Sequence, residues 1–317
     1  ARTHYHKNPR ISFMSSTTAL DKKIVSELPD ISDTIFLNLM DVPYKKWWKF
    51  PLFFFSFIAS FFTSFLYLKK NKPERIVSTG GFIALPICMA ARCLGIPFDI
   101  IELNVVPGKA THAISRWSDN LFVCFAQAQY YFKKTSIVVP YPLRFTDTNC
   151  KITKKDFMQK YKLNENKKNL FILGGSQGSE FLNTFIKTLP ISLLESFNII
   201  HQTGFAAVES CATFYKTAGI NHYVFAYQND LTSFYTYADY TICRAGAGTL
   251  FELLFFKKQA LIIPLETSVT DHQLDNAKAF QENHPAYFTF LRQNDLIKNP
   301  TIFITKIQKL AETNLAP

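Results

Sequence analysis

Residues 169–179 read NLFILGGSQGS, and residues 240–249 read YTICRAGAGT. Each is a short apolar run that closes in a glycine-bearing turn and then enters a helical stretch. Unbroken apolar runs of this length suit strands buried on both faces, as in parallel sheets covered by helices. The same pattern recurs along the chain. In the first half the runs are RISFMSS, TIFLNL, RIVSTGG, FDIIELN, NLFVCFA and SIVVPYP; in the second they are NLFILGGS, NIIHQTG, HYVFAY, YTICRAG, ALIIPLE and AYFTFL. Helical stretches separate them, so the fold class is α/β with parallel sheets. A polar, lysine-rich stretch, TDTNCKITKKDFMQKYKLNENKKN, lies between the halves and is expected to carry one helix. The expectation is two Rossmann-like domains, 1–146 and 147–317, facing a central cleft.

The 317 residues carry 35 Lys and Arg against 24 Asp and Glu, a net charge of +11. A basic chain favours anionic partners: phosphorylated substrates, anionic lipid or nucleic acid. No Arg-Gly tract, zinc-knuckle spacing or RNP-like run is present, so no nucleic-acid partner is expected. The six cysteines form no CxxC pair and mostly sit in apolar runs, which reads as buried, reduced thiols. No metal-ligand spacing occurs, and no metal or cofactor is expected.

Three turns follow strands: Ser78-Thr79-Gly80-Gly81-Phe82, Gly174 to Ser179, and Arg244 to Thr249. Backbone N–H groups at such strand-to-helix turns receive anions, and two in one half point to a pyrophosphate-bearing ligand. Neither a GxxxxGK[ST] motif nor a GxGxxG followed by an acidic residue about 20 positions on is present. Glu252 lies on the first turns of the helix after the third turn, where a carboxylate can hold a ribose diol. Gln273 and Asn276, at i and i+3, share a helix face and can grip hydroxyls. A His272 beside them reads as structural.

Residues 50–68, FPLFFFSFIASFFTSFLYL, contain no charge and eight Phe, enough for a helix of roughly 28 Å. The segment lies between TIFLNL and RIVSTGG, expected to share a sheet, so a span is excluded and a crossover helix is expected. Ser56, Ser60, Thr63 and Ser64 draw a narrow small-polar stripe on the helix, and a crossover helix would lay one face on the sheet. The other faces remain apolar and both ends carry lysines, which suits a helix lying on an anionic membrane surface without crossing it.

GGSQGS, RAGAGTLFE and DHQLDNAKAF, with STGGF, GIPFDIIELNVVPG and YPLR, together resemble the MurG family of N-acetylglucosaminyltransferases, in order through nearly the whole chain. The resemblance implies a GT-B fold and inverting, metal-independent transfer from UDP-N-acetylglucosamine. The acceptor it implies is polyprenyl-pyrophosphoryl-muramyl-pentapeptide, lipid I, at the cytoplasmic face of the bacterial membrane. It places Ser176 and Gln177 near the donor phosphates and Arg144 on the donor. It lines the nucleotide with Ala247, Gly248, Thr249, Leu250, Phe251 and Glu252, the last on the ribose. Gln273 and Asn276 hold the sugar, Gln228 lies by the uracil, Asn104 is the cleft asparagine, and Gly80 and Gly81 face the acceptor. The family's GGTGGH loop, which carries its general base, is absent, and the terminal helix is short, so the chain reads as truncated at both ends. Glu102 is the surviving candidate base. Ile101 and Leu103 stand for the His and Gln of HEQN, and Tyr141 for the Asn of NPxR. The alternatives are another GT-B enzyme, a UDP-N-acetylglucosamine 2-epimerase or glycolipid synthase, or a non-catalytic sugar-nucleotide or membrane-binding module.

Overall fold

A computed structural model describes residues 10–26, 31–40, 42–43, 46–148, 150–175, 177–266 and 272–312. Ser176 and Asp271 lie outside the described residues. The chain divides into two compact units, Ala1–Leu103 with Pro107–Val139, and Asn104–Val106 with Pro140–Pro317.

The first unit begins β1 (Ser12–Ser16), α1 (Ala19–Ser26), β2 (Asp33–Leu37), α2 (Phe50–Asn71), β3 (Ile76–Ser78). It continues α3 (Ala84–Leu94), β4 (Phe98–Glu102), α4 (Lys109–Ser115), β5 (Asn120–Val123), β6 (Ile137–Val138). All six expected strands form, but they do not make one sheet. β1 and β2 pair only with each other, in parallel, and β3-β4-β5-β6 make a separate parallel sheet. The expectation that TIFLNL and RIVSTGG share a sheet is therefore corrected: among the described residues no ladder joins β2 to β3. What ties the two sheets to one unit is α2. Tyr67 donates near its C-terminal end to Asp33 Oδ2 at 2.8 Å, and Met40 N–H donates to Ser56 Oγ near its start at 3.3 Å. Phe53 and Phe57 meet Phe82, with ring centroids 5.5 and 6.5 Å apart.

The ends of α2 follow from its sequence. Pro51 sits in the first turn, where its missing N–H costs nothing. Lys69 and Lys70 complement the C-terminal dipole, and Lys72 closes the helix in the left-handed conformation, its N–H on Leu68 O. Ser60, Ser64 and Leu68 are buried. The buried hydroxyl of Ser64 donates to Ser60 O at 2.8 Å, and that of Ser56 to Phe53 O, so each returns to the helix's own backbone. Thr63 is exposed and does not belong to the packed stripe. Only 17% of the most apolar 18-residue window is buried.

The second unit opens with α5 (Lys154–Lys160), β7 (Lys168–Leu173), α6 (Glu180–Ile186), α7 (Ile191–Glu195), β8 (Phe197–Gln202), α8 (Val208–Thr217). Next come β9 (His222–Phe225), α9 (Thr232–Tyr237), β10 (Tyr240–Cys243), α10 (Ala247–Phe255), β11 (Ala260–Ile262), α11 (His272–Asn283). β12 (Phe288–Phe290), α12 (Gln293–Lys298) and α13 (Thr301–Glu312) complete it. Its six strands form one parallel sheet in the order β12-β11-β10-β7-β8-β9. β7, β8, β10 and β11 are buried almost throughout, which is why their sequences run apolar without alternation. The chain starts at the centre with β7, winds out to β9, and returns to β10 on the other side. β7 and β10 therefore flank the point where the winding reverses, the place where open α/β sheets take ligands.

Candidate donor site

Both glycine turns of the second unit lie at that reversal. In the turn after β7, Gly178 has φ +79°, and an added Cβ would stand 2.1 Å from Thr203 O, so only glycine fits. Gly178 N–H donates to Gly175 O at 3.0 Å, closing the turn over Gln177, which is exposed. Ser179 caps α6 and also accepts from Arg244 Nε at 2.8 Å. Arg244 is buried. Its Nη1 donates to Ile263 O and Pro264 O, and its guanidinium stands over the Phe181 ring at 5.3 Å. Burial pushes it down to about 10, so it stays charged at neutral pH and sets a cation beneath both turns.

After β10, Gly246 caps α10 and accepts the first helical bond from Leu250 N–H. The amides of Ala247, Gly248 and Thr249 precede that bond and make the anion-receiving end of the helix. Leu250 points into the core with no exposed surface, so within the 247–252 run it supplies packing and not a lining surface. Phe251 stacks on Tyr141, ring centroids 4.7 Å apart, and the Tyr141 hydroxyl lies 3.2 Å from where a Cβ on Gly248 would be. Glu252, one turn further, is the best-held carboxylate of the site. Its Oε1 pairs with Arg144 Nε at 2.9 Å; its Oε2 accepts from Arg144 Nη2 at 3.3 Å and from Tyr235 OH at 2.7 Å. Arg144 Nη1 also donates to Asn229 O at 2.6 Å, which brings the 226–230 loop and Gln228 beside the same group. Arg144, Gln228 and Glu252 are thus gathered by the fold.

Gln273 and Asn276 begin α11, and much of each amide is engaged. Gln273 Oε1 accepts from Ala245 N–H at 3.1 Å and Leu265 N–H at 2.9 Å, tying the β10 and β11 turns together. Neither bond uses its amide nitrogen. Asn276 is 1% exposed: Oδ1 accepts from Val105 N–H at 3.0 Å, and Nδ2 donates to Asn104 Oδ1 and Ala245 O. In this conformation Asn104 and Asn276 hold each other.

Three expected residues lie in the first unit. Gly80 and Gly81 follow β3 with φ +82° and +81°, and Gly81 N–H meets Thr111 Oγ1 at 3.4 Å. Glu102 ends β4, 2% exposed, with its carbonyl accepting from Cys124 N–H. Two participants were missed by the sequence reading. Tyr235, fully buried on α9, was hidden in SFYTYADY, a run that reads as core; the backbone carbonyl of Asn229 carries no side-chain signal at all.

Comparison with known proteins agrees with this geometry. The glycosyltransferase family 28 N-terminal domain matches residues 3–123, and the family's C-terminal domain matches residues 169–317. A UDP-N-acetylglucosamine--N-acetylmuramyl-(pentapeptide) pyrophosphoryl-undecaprenol N-acetylglucosamine transferase of Finegoldia magna is 32% identical over 255 residues, covering 78% of this chain and 67% of the relative. The chain belongs to the MurG family. A relative of the same description from Thermosipho africanus is 34% identical over 215 residues, 68% of this chain and 58% of its own length. The crystal structure of Acinetobacter baumannii MurG superposes with a TM-score of 0.68 at 25% identity, covering 95% of this chain and 82% of that one. A UDP-GlcNAc 2-epimerase from Neisseria meningitidis bound to UDP-GlcNAc, at 13% identity and TM-score 0.54, shares the fold alone. The two Rossmann-like units of this family member are therefore of GT-B type.

Proposed function

We propose that this MurG-family enzyme transfers N-acetylglucosamine from UDP-N-acetylglucosamine to the 4-hydroxyl of the muramyl sugar of lipid I. The transfer, giving lipid II for peptidoglycan, proceeds with inversion and without a metal. The observation that carries the reading is the pairing of two glycine turns at the β7/β10 reversal, with a held carboxylate one turn into α10. The acceptor hydroxyl attacks the anomeric carbon from the face opposite the diphosphate, and UDP leaves. The charge that develops on UDP meets the α10 N-terminus, the Arg144 guanidinium and the buried Arg244. Ser176 and Gln177 belong with the phosphates, Glu252 with the ribose, Gln228 with the uracil, and the Gln273 amide with the sugar. Residues 147–317, together with Arg144, take the donor, and the rest of 1–146, with Gly80 and Gly81, takes the acceptor. Glu102 is nearly closed off from solvent, so a proton-accepting role there requires the end of β4 to open.

A lipid-borne acceptor also accounts for α2. Leu52, Phe55, Ala59, Phe62 and Leu66 follow one another at spacings of three and four and are all exposed, so they form one apolar stripe. Trp47, 77% exposed, and Trp48 extend the apolar surface beyond the helix start, and Lys46, Lys49, Lys69, Lys70 and Lys72 bracket it. The helix packs lengthwise on its unit from Phe53 to Leu68, so it presents this stripe to a surface. That fits a peripheral enzyme on the cytoplasmic face of the membrane. An epimerase acting on a free sugar nucleotide has no use for such a stripe.

The test is incubation of lipid I in vesicles with radiolabelled UDP-N-acetylglucosamine and the protein. Label moves into lipid II, and Glu252→Ala lowers the rate roughly a hundredfold through weaker donor binding. Donor binding with no lipid II formed, or release of free N-acetylmannosamine, overturns the assignment.

A further inference from the structure

Glu252 is already engaged on both of its oxygens. Three donors converge on its two oxygens: Arg144 Nε and Nη2, and the Tyr235 hydroxyl. A carboxylate has about four acceptor positions, so one remains. A vicinal diol needs two acceptors side by side. One of the present donors must therefore leave before a ribose can be held by both hydroxyls.

The two donor groups differ in how freely they can leave. Tyr235 is fully buried on α9, with its ring stacked on Phe256 at 5.2 Å and edge-on to Phe171 at 5.8 Å. Its phenol is pushed well above its ordinary value by burial and by the neighbouring carboxylate, so it remains a donor at every working pH. Arg144 stands on the open side, its side chain 41% exposed against 13% for Glu252. It is also held at Asn229 O and the Phe145 ring, 5.0 Å away, and feels the charge of Asp230, and none of these requires the carboxylate. Tyr235 is built to stay and Arg144 to go.

We propose that Arg144 is a place-holder for the ribose of the donor, an inference that rests on the sugar-nucleotide reading of this site. The guanidinium neutralises and orients a carboxylate that would otherwise stand as a lone, mostly buried charge beside an anion site. When a 2′,3′-diol takes the carboxylate, the guanidinium is released while still anchored at Asn229, and its charge becomes available to the diphosphate. Ribose and phosphate binding are thereby coupled: each makes the other easier, because the diol frees the cation and the phosphate keeps it away. The exchange also tempers the preference for a full diol, since a nucleoside with one ribose hydroxyl displaces only one of the two guanidinium donors.

The experiment titrates the full chain with uridine, 2′-deoxyuridine and UDP, followed by NMR shifts of backbone amides, for the wild type and Arg144→Gln. Place-holding predicts opposite signs. Uridine binds about fivefold more tightly to Arg144→Gln, because no ion pair is broken, while UDP binds about tenfold more weakly. The ratio of uridine to 2′-deoxyuridine affinity widens in the variant. If uridine affinity is unchanged or falls alongside that of UDP, Arg144 is an ordinary phosphate contact and the proposal is overturned. If wild type binds neither uridine nor UDP, the donor-site reading itself fails, and this inference with it. Tyr235→Phe separates positioning from packing: it is expected to narrow the uridine to 2′-deoxyuridine ratio with the thermal midpoint little changed, and an unaltered ratio would count against its share in holding Glu252.

Discussion

The two units depart from the usual sorting of residues in opposite directions. The second buries polar groups: Arg244, Asn276, His201, Asn198 and Thr241 all lie beneath its surface. The first exposes apolar ones: Phe54, Phe55, Phe62 and Leu66 stand along α2, with Trp47 and Trp48 just before it. Both departures work against stability in water, since a buried polar group must be matched and an exposed ring gains nothing. Under the proposed function the contrast reads as two kinds of ligand: a small polar molecule for the second unit and a large apolar surface for the first.

That contrast can be broken from either side. The largest effect is expected on α2. Changing Leu52, Phe55 and Phe62 together to Ser removes about 5 kcal/mol of apolar transfer. Flotation with anionic vesicles should therefore fall by a hundredfold or more, with the unfolding midpoint and UDP binding unchanged. Loss of stability instead would show that the stripe packs within the protein.

In the second unit the order of effects should invert, with stability falling when a polar group is removed. Asn276→Ala leaves Val105 N–H and Ala245 O without their partner in a buried place, and should cost about 3 kcal/mol in denaturant unfolding. A loss below about 1 kcal/mol would mean that the segment 104–106 is held by other contacts.

The smallest effect expected is a dependence on pH. His201 is fully buried on β8 with Nδ1 2.9 Å from Tyr215 OH; burial, helped by the charge of Lys187, pushes it down to about 3. The unfolded chain binds a proton near pH 6.5 and the folded one does not. Stability is therefore intact above pH 6.5 and is lost as pH falls from there toward 3, by about 2 kcal/mol at pH 5. His201→Gln should flatten the acid limb of the stability profile, and an unaltered limb would place the titrating group elsewhere.

All twelve strands were legible because buried parallel strands leave continuous apolar runs, and the two turns after β7 and β10 because glycine punctuates them. Glu252 and Arg144 were legible as motif residues, but their contact was not, since 108 residues separate them. Leu250 was carried along by its neighbours in the run AGTLFE, though helical periodicity turns it inward between Phe251 and Thr249. The division of the first unit into two sheets was invisible for a related reason. A strand's apolar content reports its burial, while its partner is chosen by backbone groups that every sequence carries alike.

The three residues Asn104–Val106 belong to the second unit although the chain on both sides of them belongs to the first. Val105 lends its amide to Asn276, and Asn104 its side-chain oxygen. The second unit is consequently not a contiguous stretch of gene. A segment encoding only residues 140–317 would specify its sheet and every helix around it, yet omit the graft that saturates one of its most deeply buried amides. Evolutionary shuffling of such a half would have to carry the small insert along, or replace Asn276 in the same step.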